Sequence, residues 1–207
     1  MISKSCYVFI DSSNLFYGGK GRLGWKVDYE KLANYLRKKY FATKIFYYSG
    51  INTHGYNPDL LSTQPYPINQ CIEHVSKSLL GADKKEKKYI NKDLARAKFL
   101  RKIDEFGYIL RLKPVRYIKS FDGTVKMKAN CDVDLTLDAI RLKRDYDSIV
   151  LLSGDGDFEI LLRYLKEQGK GIKIIANVWN TAWIYKKKYS GNLRNFEEIR
   201  ESILEKK

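Results

Sequence analysis

The stretch Ser148 to Phe158, Ser-Ile-Val-Leu-Leu-Ser-Gly-Asp-Gly-Asp-Phe, limits what this chain can fold into more than any other. An unbroken apolar run, Ile149 to Leu152, ends in Ser153-Gly154. Two aspartates follow, one residue apart, and then Phe158, Leu161, Leu162 and Leu165 recur at helical spacing. A short apolar run without alternation predicts a strand covered on both faces, the glycine marks a turn, and the period that follows marks a helix. Such strand–turn–helix units build α/β folds on parallel sheets, and those sheets take ligands beyond the carboxyl ends of their strands. Asp155 and Asp157 are placed there. One of the two can accept a backbone N–H at the helix start. The other then lacks a structural task, so the pair reads as a metal or phosphate site.

The rest of the chain repeats the theme. Tyr7–Ile10 predicts a first central strand that delivers Asp11, with Asn14 three residues on, so that both side chains can face one centre. Further strands are expected at Lys44–Tyr48, Tyr108–Leu112 and Ile172–Ala176. Helices are expected over Tyr29–Tyr40 behind an Asp28 cap, Ile68–Leu80, Asp93–Glu105 before Gly107, the stretch after the Asp pair to Gln168, and Leu193–Ile203. Asp83–Lys88, with four lysines, reads as a solvated run, and Val115–Val125 as a hairpin around Asp122-Gly123. The fold class expected is α/β, with a mainly parallel central sheet.

A second acidic cluster, Asp132-Val-Asp-Leu-Thr-Leu-Asp138, opens another helix. Val133, Leu137 and Ile140 share its apolar face, widened by Leu135 and Leu142. Asp134 and Asp138 share a second face, and Asp132 can cap or point into the site. Asp134 reads as an ordinary exposed position; Asp132 and Asp138 read as site residues. These acids are exceptions in a basic protein: 39 Lys+Arg against 24 Asp+Glu give +15, which suggests a polyanionic partner. Lys20 and Arg22 in the glycine-rich 18–24 loop, and Arg116, Lys126 and Lys128 around the hairpin, are the candidate phosphate contacts. The loop lacks the Gly-Lys-Ser/Thr ending of a P-loop. Three scattered cysteines indicate neither a disulfide framework nor a zinc site, and His54 and His74 read as turn and helix residues. No signal peptide or membrane-length apolar run is seen, so the expected location is cytoplasmic, without membrane association.

At Asp11-Ser-Ser-Asn14, Asp132-Val-Asp-Leu-Thr-Leu-Asp138 and Ser153-Gly-Asp-Gly-Asp-Phe158 the chain resembles the NYN domain family of PIN-like nucleases, most closely its LabA-like branch. The resemblance covers roughly residues 5 to 180 and departs from the family pattern at Asn130-Cys131, where Gly-Val is usual. It implies a PIN-like, Rossmann-like α/β/α sheet and an acidic pocket for Mg2+ or Mn2+. By this resemblance Asp11, Asp132, Asp155 and Asp157 are the metal positions, and Asn14 and Asp138 complete the catalytic set. The implied activity is metal-dependent hydrolysis of phosphodiester bonds in single-stranded or structured RNA. Two rivals stand beside it: a catalytically silent RNA-binding or scaffold domain, and a phosphohydrolase of small nucleotides.

The organisation expected is a nuclease-like domain over 1–180, including an insert at 50–90, and a basic helical extension over 181–207 packed on it. Trp183 is expected to pack that extension down, with base stacking by the tail aromatics as the alternative. A homodimer through an exposed aromatic tail is a further candidate.

Overall fold

The computed structural model describes residues 5–13, 24–58, 65–119, 125–177, 179 and 181–205, excepting the side chains of 118–119 and 125–128. These residues form two compact units, residues 1–48 with 132–207, and residues 49–131.

The first unit is built on parallel strands. Strand β1 (Cys6–Asp11) pairs with β2 (Ala42–Ile51) on one side and β6 (Ser148–Leu152) on the other. Beyond β6 lie β7 (Gly171–Ala176) and the short β8 (Leu193–Asn195), so the order is β2-β1-β6-β7-β8. Phe9, Ile10, Leu151, Ile174 and Ile175 are fully buried, as expected of strands covered on both faces. Parallel neighbours need crossovers, and helices supply them. Helix α1 (Tyr29–Tyr40) joins β1 to β2. The Asp28 side chain caps it, accepting from Lys31 N at 3.0 Å. The chain moves one way from β1 to β2 and the other way from β6 to β7. The strand order therefore reverses between β1 and β6.

The second unit holds α2 (Ile68–Lys77), α3 (Lys84–Glu105), β3 (Ile109–Pro114) and the antiparallel hairpin of β4 (Arg116–Lys119) with β5 (Val125–Lys128). The end of β2 runs into this unit, where Val115 N–H donates to Ile51 O at 2.9 Å. Gly107 terminates the α3 segment with φ +81°, a conformation that favours glycine. His54 lies in a turn, 2.9 Å from Asp93, and His74 is 2.9 Å from the His54 carbonyl.

Four expectations are corrected. Helix α3 begins at Lys84, not Asp93: Asp83 accepts from Glu86 N at 2.7 Å while Glu86 accepts from Asp83 N at 2.9 Å. This capping box turns the lysine-rich run into the first helical turns. In α4 (Asp132–Arg141), the face Val133–Leu137–Ile140 is the outer one, with Val133 70% exposed. Leu135, Asp138 and Ala139 point inward instead, because Asp138 has a buried partner in Tyr48 and Ala139 O accepts from Tyr146 Oη at 2.6 Å. The 193–203 segment is not one helix: Leu193–Asn195 adds a strand to β7, and only α7 (Arg200–Ile203) is α-helical. Trp183, the first residue of α6 (Trp183–Lys188), is 66% exposed, and Tyr185 and Tyr189 do the packing.

Candidate functional site

Asp11 is the last residue of β1 and is 6% exposed. A carboxylate so far from water needs donors. Ser13 N–H and Ser13 Oγ donate to its Oδ1 at 3.0 and 2.5 Å, and Ser153 Oγ donates to Oδ2 at 3.1 Å. The contact to Ser153 follows from strand register: Ile10 is paired with Leu152, so the next residues of two neighbouring parallel strands leave the sheet together. Ser153 Oγ in turn accepts from Asp155 N at 3.2 Å. Asp155 Oδ1 accepts from Asp157 N at 3.0 Å and caps the single 3-10 turn Gly156–Phe158 that leads into α5 (Glu159–Glu167). Asp11, Ser153, Asp155 and Asp157 are thus joined by one chain of hydrogen bonds, at the two strand ends between which the sheet order reverses.

Of the two aspartates in the turn, Asp155 is the cap. Asp157 is exposed, and its carboxylate accepts no hydrogen bond among the described residues. The turn is held from behind by Tyr185, whose hydroxyl donates to the Asp155 carbonyl at 2.5 Å. Burial first, then the negative charges of Asp155, Glu159 and Asp157 together with Tyr189, push the Tyr185 phenol well above its ordinary range. It therefore remains a donor.

Asp138 belongs to a neighbouring cluster. It is 5% exposed; its Oδ2 accepts from Tyr48 Oη at 2.9 Å and its Oδ1 from Arg141 at 2.9 Å. Tyr48 is the register partner of Asp11 on β2, so both side chains leave the sheet on one face. Asp132 is the half-buried first residue of α4, and Asp134 is exposed. Asn14, Lys20 and Arg22 lie outside the described residues. Arg116 is exposed on β4, while Lys126 and Lys128 lie on β5, their side chains outside the described set. Among the described residues no three His, Cys, Asp or Glu side chains form a group that could hold a metal ion. Ser13, Ser153, Tyr48 and Arg141, which fix the carboxylates, were not anticipated. Arg141 carried a signal, since i,i+3 from Asp138 is ion-pair spacing on a helix. Tyr48 and Ser153 become visible only with the strand register.

No described helix is long and apolar enough to cross a membrane. The chain is similar to the low amplitude and bright protein LabA of Synechococcus elongatus, 23% identical over 177 residues, covering 82% of this chain and 72% of LabA. Its fold is similar to the crystal structure of a Vibrio parahaemolyticus protein of unknown function, with a TM-score of 0.60 at 19% identity, covering 98% of this chain and 96% of that one. The NYN domain model matches residues 72–198, more than half of the chain and inclusive of both acidic motifs from Asp132 to Asp157, and the chain therefore belongs to the NYN domain family.

Proposed function

We propose that this protein is a divalent-metal-dependent nuclease that hydrolyses phosphodiester bonds in RNA. The observation that carries the proposal is the hydrogen-bonded chain from Asp11 through Ser153 and Asp155 to Asp157 at the point where the strand order reverses. Open α/β sheets take their ligands at such a point. A net charge of +15 in a chain that also gathers acids at one turn suits a polyanion drawn to a site that needs a cation.

The donor set is oxygen throughout, the chemistry of Mg2+ or Mn2+. A closed cage is not built in, but magnesium is commonly held through one or two carboxylates, with water and substrate phosphate filling the octahedron. Asp11 and Asp155 fit that requirement. A carboxylate has about four acceptor positions, and the described donors use three on Asp11 and one on Asp155. In the proposal these two, with Asp157 and Asp132, hold the ion. When bound, it supplies charge neutralisation at the phosphate and a lowered pKa for water. The chain's own residues have separate tasks. Ser13 and Ser153 keep Asp11 aimed, and Asp138, clamped by Tyr48 and Arg141, sets the adjoining wall as a positioning residue. Exposed Asp157 orients water at the mouth, and Asn14 is assigned the same duty. Lys20, Arg22, Arg116, Lys126 and Lys128 are proposed phosphate contacts, which predicts salt-dependent binding.

The test is cleavage of RNA and DNA of varied structure with EDTA, Mg2+ or Mn2+, comparing wild type with Asp11→Asn and Asp155→Asn, alongside Mn2+ titration calorimetry. Divalent-dependent cleavage and Mn2+ binding, both lost in the folded variants, are expected. Unchanged cleavage in both variants refutes the site. The lack of a three-ligand group among the described residues favours a second reading, a silent RNA-binding domain, in which RNA binding survives Asp155→Asn and no cleavage occurs at all.

A further inference from the structure

Helix α6 is seated on the acidic turn. Ala182 N–H donates to Gly154 O at 2.8 Å, and the Tyr185 hydroxyl reaches the Asp155 carbonyl. Gly156, between the two aspartates, leaves room for this: a Cβ there would stand 3.0 Å from Ala182 Cβ and 3.9 Å from Ile184 Cγ2. At the far end Lys188 Nζ pairs with Glu159 at 3.0 Å. Between these fastenings the inward residue, Tyr185, is fully buried, while Trp183 is 66% exposed, one residue from the Ala182–Gly156 contact. Lys187 Nζ lies 4.7 Å from the Trp183 ring centroid. Trp179, in the connection before α6, is 76% exposed.

An indole contributes to stability chiefly by leaving water, and the Trp183 ring has not done so. Its exposed Lys187 contact contributes only about 0.5–1 kcal/mol. The fold therefore holds a large flat apolar surface in solvent on a helix fastened to the turn that carries Asp155 and Asp157. Lys186 and Lys187 supply positive charge next to it.

We propose that Trp183 is a stacking platform for an unpaired base of a single-stranded polynucleotide, positioned so that a phosphate of that strand meets the acidic turn. Lys187 covers one side of the ring and leaves the other to a base, while its ammonium group is free to reach the neighbouring phosphate. In a duplex the base faces are already stacked on one another, so the platform selects unpaired strands. Stacking is indifferent to base identity, because every base has a π-face. The proposal rests on the polynucleotide reading above and does not depend on cleavage.

The test is binding in EDTA, so that no cleavage intervenes. The chain has three tryptophans, and Trp25 is 7% exposed, so Trp179→Phe leaves one exposed indole, that of Trp183. Its fluorescence is titrated with an unpaired homopolymeric RNA, the matching DNA and a blunt duplex. Quenching by the unpaired strands and not by the duplex is expected. Trp183→Ala should weaken unpaired-strand binding about tenfold or more, Trp183→Tyr should retain most of it, and neither should lower the thermal midpoint by more than about 4 °C. Equal affinity of Trp183→Ala for the unpaired strand, or equal quenching by the duplex, overturns the platform. Cleavage with Mg2+, run in parallel, separates the two proposals: quenching without cleavage refutes only the nuclease, and cleavage unaffected by Trp183→Ala with unchanged affinity refutes only the platform.

Discussion

Ser153→Ala isolates the bond on which the candidate site depends. Ser153 is 1% exposed, and its hydroxyl donates to Asp11 Oδ2 and accepts from Asp155 N. A hydrogen bond to an ionised group contributes about 1.5–3 kcal/mol. Asp11 keeps both Ser13 donors after the change, so the lower end of that range applies. The Asp155 N–H loses its acceptor in a half-buried turn, about 0.5–1.5 kcal/mol more. The space vacated by one oxygen is smaller than a methyl group and contributes little beside these terms. The sum is about 2–3 kcal/mol. With a urea slope of about 2 kcal/mol/M, the unfolding midpoint falls by about 1–1.5 M. A double-mutant cycle with Asp11→Asn sharpens the test, because the amide removes the charge and one of the two accepting oxygens. Coupling of about 1 kcal/mol between the two sites is expected for contacting residues. A midpoint shift below about 0.3 M, or additive single variants, would show that the hydroxyl does not hold the two strand ends together.

Two further predictions test the surroundings. Asp138→Asn keeps an acceptor for Tyr48 Oη but loses the charge facing Arg141, whose side chain is 32% exposed; discounted for solvent screening this costs about 1 kcal/mol, whereas Asp138→Leu, which removes this acceptor from the phenol and this carboxylate from Arg141, costs about 3 kcal/mol, both read by urea unfolding. The phenols of Tyr66, Tyr146 and Tyr185 are pushed up chiefly by burial, so folding favours their protonated forms: the stability is complete below the unfolded phenol pKa of about 10 and is lost as pH rises beyond it. Their phenolate absorbance should therefore appear together with loss of tertiary signal, and titration of every tyrosine at about pH 10 in a still-folded protein would contradict the burial.

Much of the fold was legible in the sequence because buried parallel strands leave a local record. Tyr7–Ile10 and Ile149–Leu152 are apolar on both faces, and each ends in an aspartate-bearing turn, so the central strands and the place of Asp11 and Asp155 followed from neighbouring residues alone. The start of α3 was equally local, in the Asp83-Lys-Lys-Glu86 capping box. A count of charges there obscured it, because four lysines in six residues resemble a solvated loop. Leu193–Asn195 failed for a different reason: three residues are too short for any periodicity, and their strand character comes from the open edge of β7.

Helix α4 shows why the site was harder to read than the sheet. Judged by hydrophobicity, Val133, Leu137 and Ile140 should face the sheet and Asp138 the solvent; the structure inverts this. Turning the helix so that Asp138 is buried forgoes the apolar area of three side chains, at about 25 cal/mol per Å2 of apolar surface. It brings Asp138 within reach of Tyr48 and Arg141, and lets Leu135 and Ala139 close against the sheet. A buried carboxylate with two donors is stable only where both donors are already in place, and Tyr48 is 90 residues away in the chain. Periodicity weighs each side chain by its own transfer energy and so cannot register a partner on another strand. The same limit applies to Ser153, separated from Asp11 by 142 residues and joined to it only once β1 and β6 are in register. A helix that buries an acid while Val133, Leu137 and Ile140 stay 70%, 52% and 37% exposed sets Asp138 on the face it shares with Asp11, where the proposed site requires it.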